Sequence, residues 1–213
     1  MDGFDEIGDP DDTATPDVTP EPARDAARTG DAARTGDAAR TEDAARTHEA
    51  AAADLVALLR RTIADLEARG THDEALGAVR PGRGFGPIST ATRMVRAGRA
   101  WRLGVLLIDR NAELYETGSV TRAIVPLRAV TNRSAEAEAR RDDRRAAARG
   151  NFPEGEVVNF DYSPIDCGVA GLEAGLSILS IVDGVVLVAW HATDPPRRLD
   201  TYLADRLGLL GEF

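Results

Sequence analysis

Between Leu176 and Trp190 the chain is almost wholly apolar, yet Asp183-Gly184 stands at the centre of the run. A membrane-crossing helix needs about 20 such residues, and an Asp at its midpoint would cost ~3 kcal/mol. Asp-Gly between Ile181-Val182 and Val185-Val186 marks a two-residue β-hairpin instead, because the favoured turn needs positive φ at both central residues. Both strands are apolar on both faces, so this hairpin must lie centrally or under a cover. No membrane partner is expected.

The neighbouring segments extend the β-rich reading. Trp101 to Asp109 predicts one strand, with Trp101, Leu103, Val105 and Leu107 on one face and Leu106 and Ile108 on the other. After a turn at Arg110-Asn111-Ala112, Leu114 to Ile124 predicts its antiparallel partner, with a bulge at Gly118. Ser134 caps an Arg-rich helix to about Arg149, with Glu136 and Glu138 in its first turn and Gly150 as its stop. Glu156 to Tyr162 predicts a further strand. Asp194-Pro195 starts a last helix whose core face is Leu199, Tyr202, Leu203 and Leu207. Residues 93–213 therefore predict an α+β domain: a mostly antiparallel sheet of about five strands with helices on one side. The missing strand–helix alternation argues against a doubly wound nucleotide fold.

The N-terminal part reads differently. Residues 1–22 hold eight acids and no base, so most of the net charge of −10 sits there, beside four prolines. Such a segment cannot bury enough apolar surface to offset its ordering entropy. From Asp25 the unit Asp-Ala-Ala-Arg-Thr repeats every six residues to His48, far below the 20 to 50 residues of a solenoid repeat. Residues 1–47 are thus expected to be a disordered acidic tail and linker. An amphipathic helix follows over 48–70, capped by Thr47 and stopped by Gly70, with Leu55, Leu59, Thr62, Ile63 and Leu66 as its stripe. It must dock on the domain or on a second copy. Residues 71–92 read as a Gly/Pro linker in which Arg80 and Arg83 flank Phe85, a composition shared with some RNA-binding segments. The acidic balance of the whole chain leads us to expect no nucleic-acid partner.

Composition removes several chemistries. The chain has no Lys, which excludes a Walker-A phosphate loop, a pyridoxal Schiff base and Ser-x-x-Lys acyl transfer. One cysteine allows no internal disulfide, and the acidic opening does not resemble a secretory signal, so a cytoplasmic protein is expected. Cys167 with His191 is the one pair that could support thiolate catalysis, although Asp166 would raise the thiol pKa. Glu154, Glu156 and Asp161 fall within eight residues. Glu154 and Glu156 share a strand face and could share a proton or hold a cation. His48, His72 and His191 lack zinc spacing, and neither metal nor cofactor is expected.

The strings Gly98-Arg-Ala-Trp101-Arg-Leu-Gly104, Tyr115-Glu-Thr-Gly118-Ser-Val-Thr121-Arg122 and Pro153-Glu-Gly-Glu156-Val-Val-Asn159-Phe160 carry a resemblance. Over 98–208 the chain is similar to a group of short proteins of high-GC Gram-positive bacteria that commonly bear the label glutaminase. That resemblance implies amide hydrolysis and assigns no residue to it. Serine glutaminases need a Ser-x-x-Lys; amidotransferase subunits need a Gly-x-Cys-x-Gly elbow, where this chain has Ile165 and Val169 at the outer positions. The leading expectation is a non-enzymatic interaction or regulatory module, engaging a protein partner or a second copy through the 49–69 helix or an apolar sheet face. The alternative is a small amidohydrolase using Cys167 and His191. A third is a small-molecule sensor with a pocket beneath the last helix.

Overall fold

The computed structural model describes residues 24–83, 90–126 and 134–210, with side chains from Arg40 onward. The acidic segment 1–22 and Phe85, and with them the expectation of a disordered tail, lie outside the described residues. The chain divides into two units, Met1–Thr41 and Glu42–Phe213. Of the first, the structure describes helical backbone from Arg24, the start of helix α1 (Arg24–Ala68). The hexapeptide repeats, expected as linker, are therefore helical. Each repeat supplies two Ala and an Arg, all strong helix formers, against which Asp and Thr weigh a little and Gly30 and Gly36 most, at about 1 kcal/mol each. Asp and Arg three apart add a weak i,i+3 pair, seen at 3.6 Å between Asp43 and Arg46. Thr47 is consequently no cap; its hydroxyl donates to the Asp43 carbonyl at 2.8 Å from within the helix.

The second unit continues with β1 (Glu74–Arg80), β2 (Arg93–Leu103), β3 (Leu106–Ile108), β4 (Leu114–Glu116) and β5 (Ser119–Arg122). Then come α2 (Ala135–Ala148), β6 (Val157–Phe160), β7 (Ser163–Pro164) and α3 (Val169–Ala174). The chain closes with β8 (Leu179–Val182), β9 (Val185–Val188), β10 (Arg197–Arg198) and α4 (Leu199–Leu209). The fold is α+β. Its main sheet has seven strands in the order β5-β6-β1-β2-β3-β4-β7, and a second sheet has the order β10-β9-β8. The main sheet is mixed rather than five-stranded and antiparallel, because β1 and β6 run parallel, with Ala75 opposite Val158 and Leu76 opposite Asn159.

Strand β1 lies inside the stretch 71–92 that read as linker. Glu-Ala-Leu-Gly-Ala-Val-Arg has one β-branched residue and a Gly, so its local preference is weak, and its strand state comes from pairing with β2 and β6. The expected strand 101–109 is a hairpin. It turns at Gly104-Val105, with Gly104 at φ +66° and Trp101 opposite Ile108. Leu106 and Ile108 therefore share the face of Trp101 and Leu103, while Leu107 takes the other. The expected strand 114–124 changes partners midway: β4 pairs with β3 and β5 with β6. Gly118 marks the switch, where a Cβ would run into the Asp161 backbone.

Other expectations hold. Ser134 caps α2, its hydroxyl accepting from the Ala137 amide at 3.3 Å. Asp183 and Gly184 have φ of 49° and 72° and join β8 to β9 in register Val182–Val185. The last helix begins at Leu199 rather than Asp194, because Arg197 and Arg198 first pair with β9. Its face is as expected: Leu199, Tyr202, Leu203 and Leu207 are buried. They join Leu55, Leu59, Ile63 and Leu66 of α1, Trp101 and Leu103 of β2, and Leu179 of β8 in the main core. The α1 stripe is thus buried within its own unit. A smaller core joins Ala146 and Ala147 of α2 to Met94, Phe152, Val158 and Phe160. No helix among the described residues is long and apolar enough to cross a membrane.

Candidate functional site

Strand β6 places Asn159 opposite Val120 of β5 and Leu76 of β1, with no exposed surface. A buried amide must find partners for both of its ends. Its Nδ2 donates to Glu74 Oε2 at 2.8 Å, and its Oδ1 accepts from Arg102 Nε at 3.0 Å and from the same guanidinium's Nη2. Glu74 lies 3.6 Å from Arg102 as well. The three side chains fix one another, and Arg102 is held at the edge of a groove of about 480 Å³.

Three further arginines reach that groove: Arg122 from β5, and Arg140 and Arg144 from α2. The last two are four apart, so they share a helix face. Arg122 donates to the Gly155 carbonyl at 3.4 Å. Neither Arg140 nor Arg144 makes an ion pair among the described residues, and both are exposed. Against four guanidiniums stand two carboxylates. Glu74 is committed to Asn159 and Arg102. Burial raises the Asp143 carboxyl above its ordinary value, and Asp161 and Asp142 raise it further. Val120, Ile124 and Val157 supply the apolar part of the lining. The groove suits an anion that carries some apolar surface. In the sequence, the spacing of Arg140 and Arg144 was legible as a helix face. Their meeting with Arg102 and Arg122 depends on the β5–β6 and β1–β6 pairings.

The residues singled out from sequence are dispersed. Glu156, whose side chain is 8% exposed, accepts from Arg99 Nη1 and lies 3.4 Å from Arg96. Arg99 also donates to Asp73 Oδ1 at 2.6 Å, and Arg110 pairs with the other oxygen of Asp73. Glu156 therefore belongs to an ion-pair chain across β2. Glu154 and Asp161 are exposed, the latter at φ 54° in the turn after β6. Among the described residues no three His, Cys, Asp or Glu side chains are placed to hold a metal ion.

Cys167 packs against the main core, with its sulfur 3.7 Å from the Ile165 carbonyl. Burial, then Asp166 and Glu113, push the thiol up to about 11. His191 is exposed, its Nδ1 3.0 Å from the Thr193 hydroxyl and 3.8 Å from Asp194. Among the described residues no hydrogen bond joins the thiol to the imidazole. Beneath the last helix, between α1 and α4, lies a pocket of about 410 Å³ lined by Leu58, Thr62, Leu203 and Leu207, with Arg61, Asp65 and Asp200 at its polar side. It carries one base and two acids, in contrast to the groove.

Comparison with protein families, with curated proteins and with solved structures gave no match to this chain.

Proposed function

We propose that this protein is a binding module that takes an anionic ligand in the groove between α2 and strands β2, β5 and β6. The observation that carries the reading is the convergence of Arg102, Arg122, Arg140 and Arg144 on one cavity, with Glu74 already engaged. Four guanidiniums facing two carboxylates leave a surplus of positive charge, which a bound carboxylate or phosphate offsets while making charge-assisted hydrogen bonds. Arg102 is pre-positioned by Asn159, so little side-chain entropy is lost there on binding. In this role the fold acts as a sensor or adaptor rather than as a catalyst.

The amidohydrolase alternative rests on Cys167 and His191. What favours the binding reading over it is the protonation of Cys167: a thiol at about 11 leaves roughly one part in ten thousand as thiolate at pH 7. Thermal unfolding of the full chain with inorganic pyrophosphate or citrate tests the proposal. A ligand at a hundred times its Kd stabilises the folded state by about 2.7 kcal/mol. We expect Tm to rise with either anion and the rise to disappear in Arg140→Gln and Arg144→Gln. A Tm indifferent to both anions, or a rise unchanged in both variants, would remove the reading. Ammonia release from glutamine that disappears in both Cys167→Ala and His191→Ala would restore the alternative.

A further inference from the structure

The far end of the β1–β2 hairpin differs from the rest of the sheet. Strand β6 pairs with β1 only at Ala75 and Leu76, and β3 pairs with β2 only at Trp101 to Leu103. The ladder of 77–80 against 93–96 has no strand on either side and is a two-stranded ribbon. At its end Arg80 stands directly opposite Arg93. Like charges directly opposite in an antiparallel pair destabilise it. Neither guanidinium has an ion-pair or hydrogen-bond partner among the described residues, and both side chains are exposed.

Arg83 joins them. The base of the loop is closed by the Thr90 amide donating to the Arg83 carbonyl at 2.8 Å and by the Arg83 amide donating to the Thr90 hydroxyl at 2.9 Å. Arg80, Arg83 and Arg93 line one cavity of about 620 Å³ with no carboxylate in its wall among the described residues. A second groove, of about 250 Å³, shares Arg93 and adds Arg149, whose Nη1 donates to the Thr92 carbonyl at 3.1 Å. Its remaining arginine, Arg96, is already within 3.4 Å of Glu156. The result is a strip of four guanidiniums on the ribbon and the adjoining end of α2.

We propose that this ribbon end binds the phosphate backbone of a nucleic acid. Two cavities that share Arg93 and Val95 in their walls make an extended strip, which fits a run of phosphates better than a single small anion. One face of the ribbon is covered by α2, where Met94 is buried, so the strip offers its guanidiniums along an outer surface. Among the described residues no aromatic side chain lines either cavity, and the proposed contacts are to phosphate. The whole-chain charge of −10 that argued against a nucleic-acid partner is an average, and eight of its acids lie in residues 1–22. At physiological salt, exposed charges act over about 8 Å, so the local strip and not the average governs contact. This proposal uses none of the groove arginines and stands apart from the anion-binding reading.

The test is fluorescence anisotropy of a labelled short DNA duplex, and of single-stranded DNA and RNA of the same sequence, titrated with the full chain at several salt concentrations. Four phosphate contacts predict roughly a 100-fold loss of duplex affinity between 50 and 200 mM salt. Arg80→Gln with Arg93→Gln lowers the salt slope by about two, Arg80→Lys with Arg93→Lys retains it, and Arg60→Gln, at an exposed position of α1 outside both sites, leaves it unchanged. Thermal melting separates loss of contact from loss of fold: removing the opposed pair leaves Tm unchanged or raises it. Binding to duplex or single strand with this salt and variant pattern supports the proposal. No binding at 50 mM salt, or a slope unaltered by the Gln pair, overturns it. Polyglutamate bound as tightly as nucleic acid assigns the strip to acidic peptides and also overturns it.

Discussion

Arg102 donates from Nε to Oδ1 of Asn159 at 3.0 Å, and that amide has no exposed surface at all. A β2 arginine on the rim of a charged groove is thereby tied to the centre of β6, two strands away across β1. The same amide holds Glu74 of β1 from its other end, so three strands meet in one polar contact.

Replacing Asn159 with Ala would strand both the Glu74 carboxylate and the Arg102 guanidinium in a partly buried place. Unmade hydrogen bonds to charged groups in such sites cost about 2–3 kcal/mol. We expect that loss in urea unfolding, together with a weakened pyrophosphate response, since Arg102 loses its anchor. Full stability in Asn159→Ala would show that the network is not a structural centre.

Asp73 sets a pH dependence. Its burial raises the carboxyl pKa, but hydrogen bonds from Arg99 and Arg110 outweigh this and hold it below the ordinary value of 3.8. A folded-state pKa below the unfolded one contributes stability that is fully present above about pH 4 and is lost as pH falls through the folded value. Urea unfolding of the wild-type chain should therefore weaken below about pH 4 by more than that of Asp73→Asn. Equal acid sensitivity in the two proteins would contradict this.

Cys167 should be slow towards alkylation. Moving a thiol from 9.0 to about 11 lowers its thiolate fraction at neutral pH about 100-fold. Iodoacetamide labelling followed by mass should show a rate far below that of a small-molecule thiol at pH 7.5, rising about tenfold per pH unit towards 11. Fast labelling at neutral pH would instead reveal an activated nucleophile and revive the amide-hydrolysis reading.

Local signals were strongest where chemistry demands a particular residue. Asp183-Gly184 fixed a hairpin because only such residues take positive φ twice in succession without strain. Ser134 announced a helix start because its hydroxyl satisfies an amide that the helix leaves open. The spacing of Leu199, Tyr202, Leu203 and Leu207 named a core face, since a helix can bury only one stripe. Strand β1 was not legible. Its residues have little preference of their own, and its state comes from two partners, one of which lies about 80 residues later.

The candidate sites divide in the same way. The sequence by itself determined which chemistries were absent: without Lys there is no P-loop and no Ser-x-x-Lys, wherever the chain goes. It also determined that the whole basic complement is Arg, with its planar, bidentate donors. Only the tertiary structure decided which of those arginines are spent and which are left over. Arg99 is spent between Asp73 and Glu156, while Arg140 and Arg144 face a groove and Arg80 faces Arg93. Charge acts through distance, and distance between residues far apart in sequence is set by strand pairing. The parallel β1–β6 contact and the unflanked end of β1–β2 are such pairings, and no local pattern encodes them.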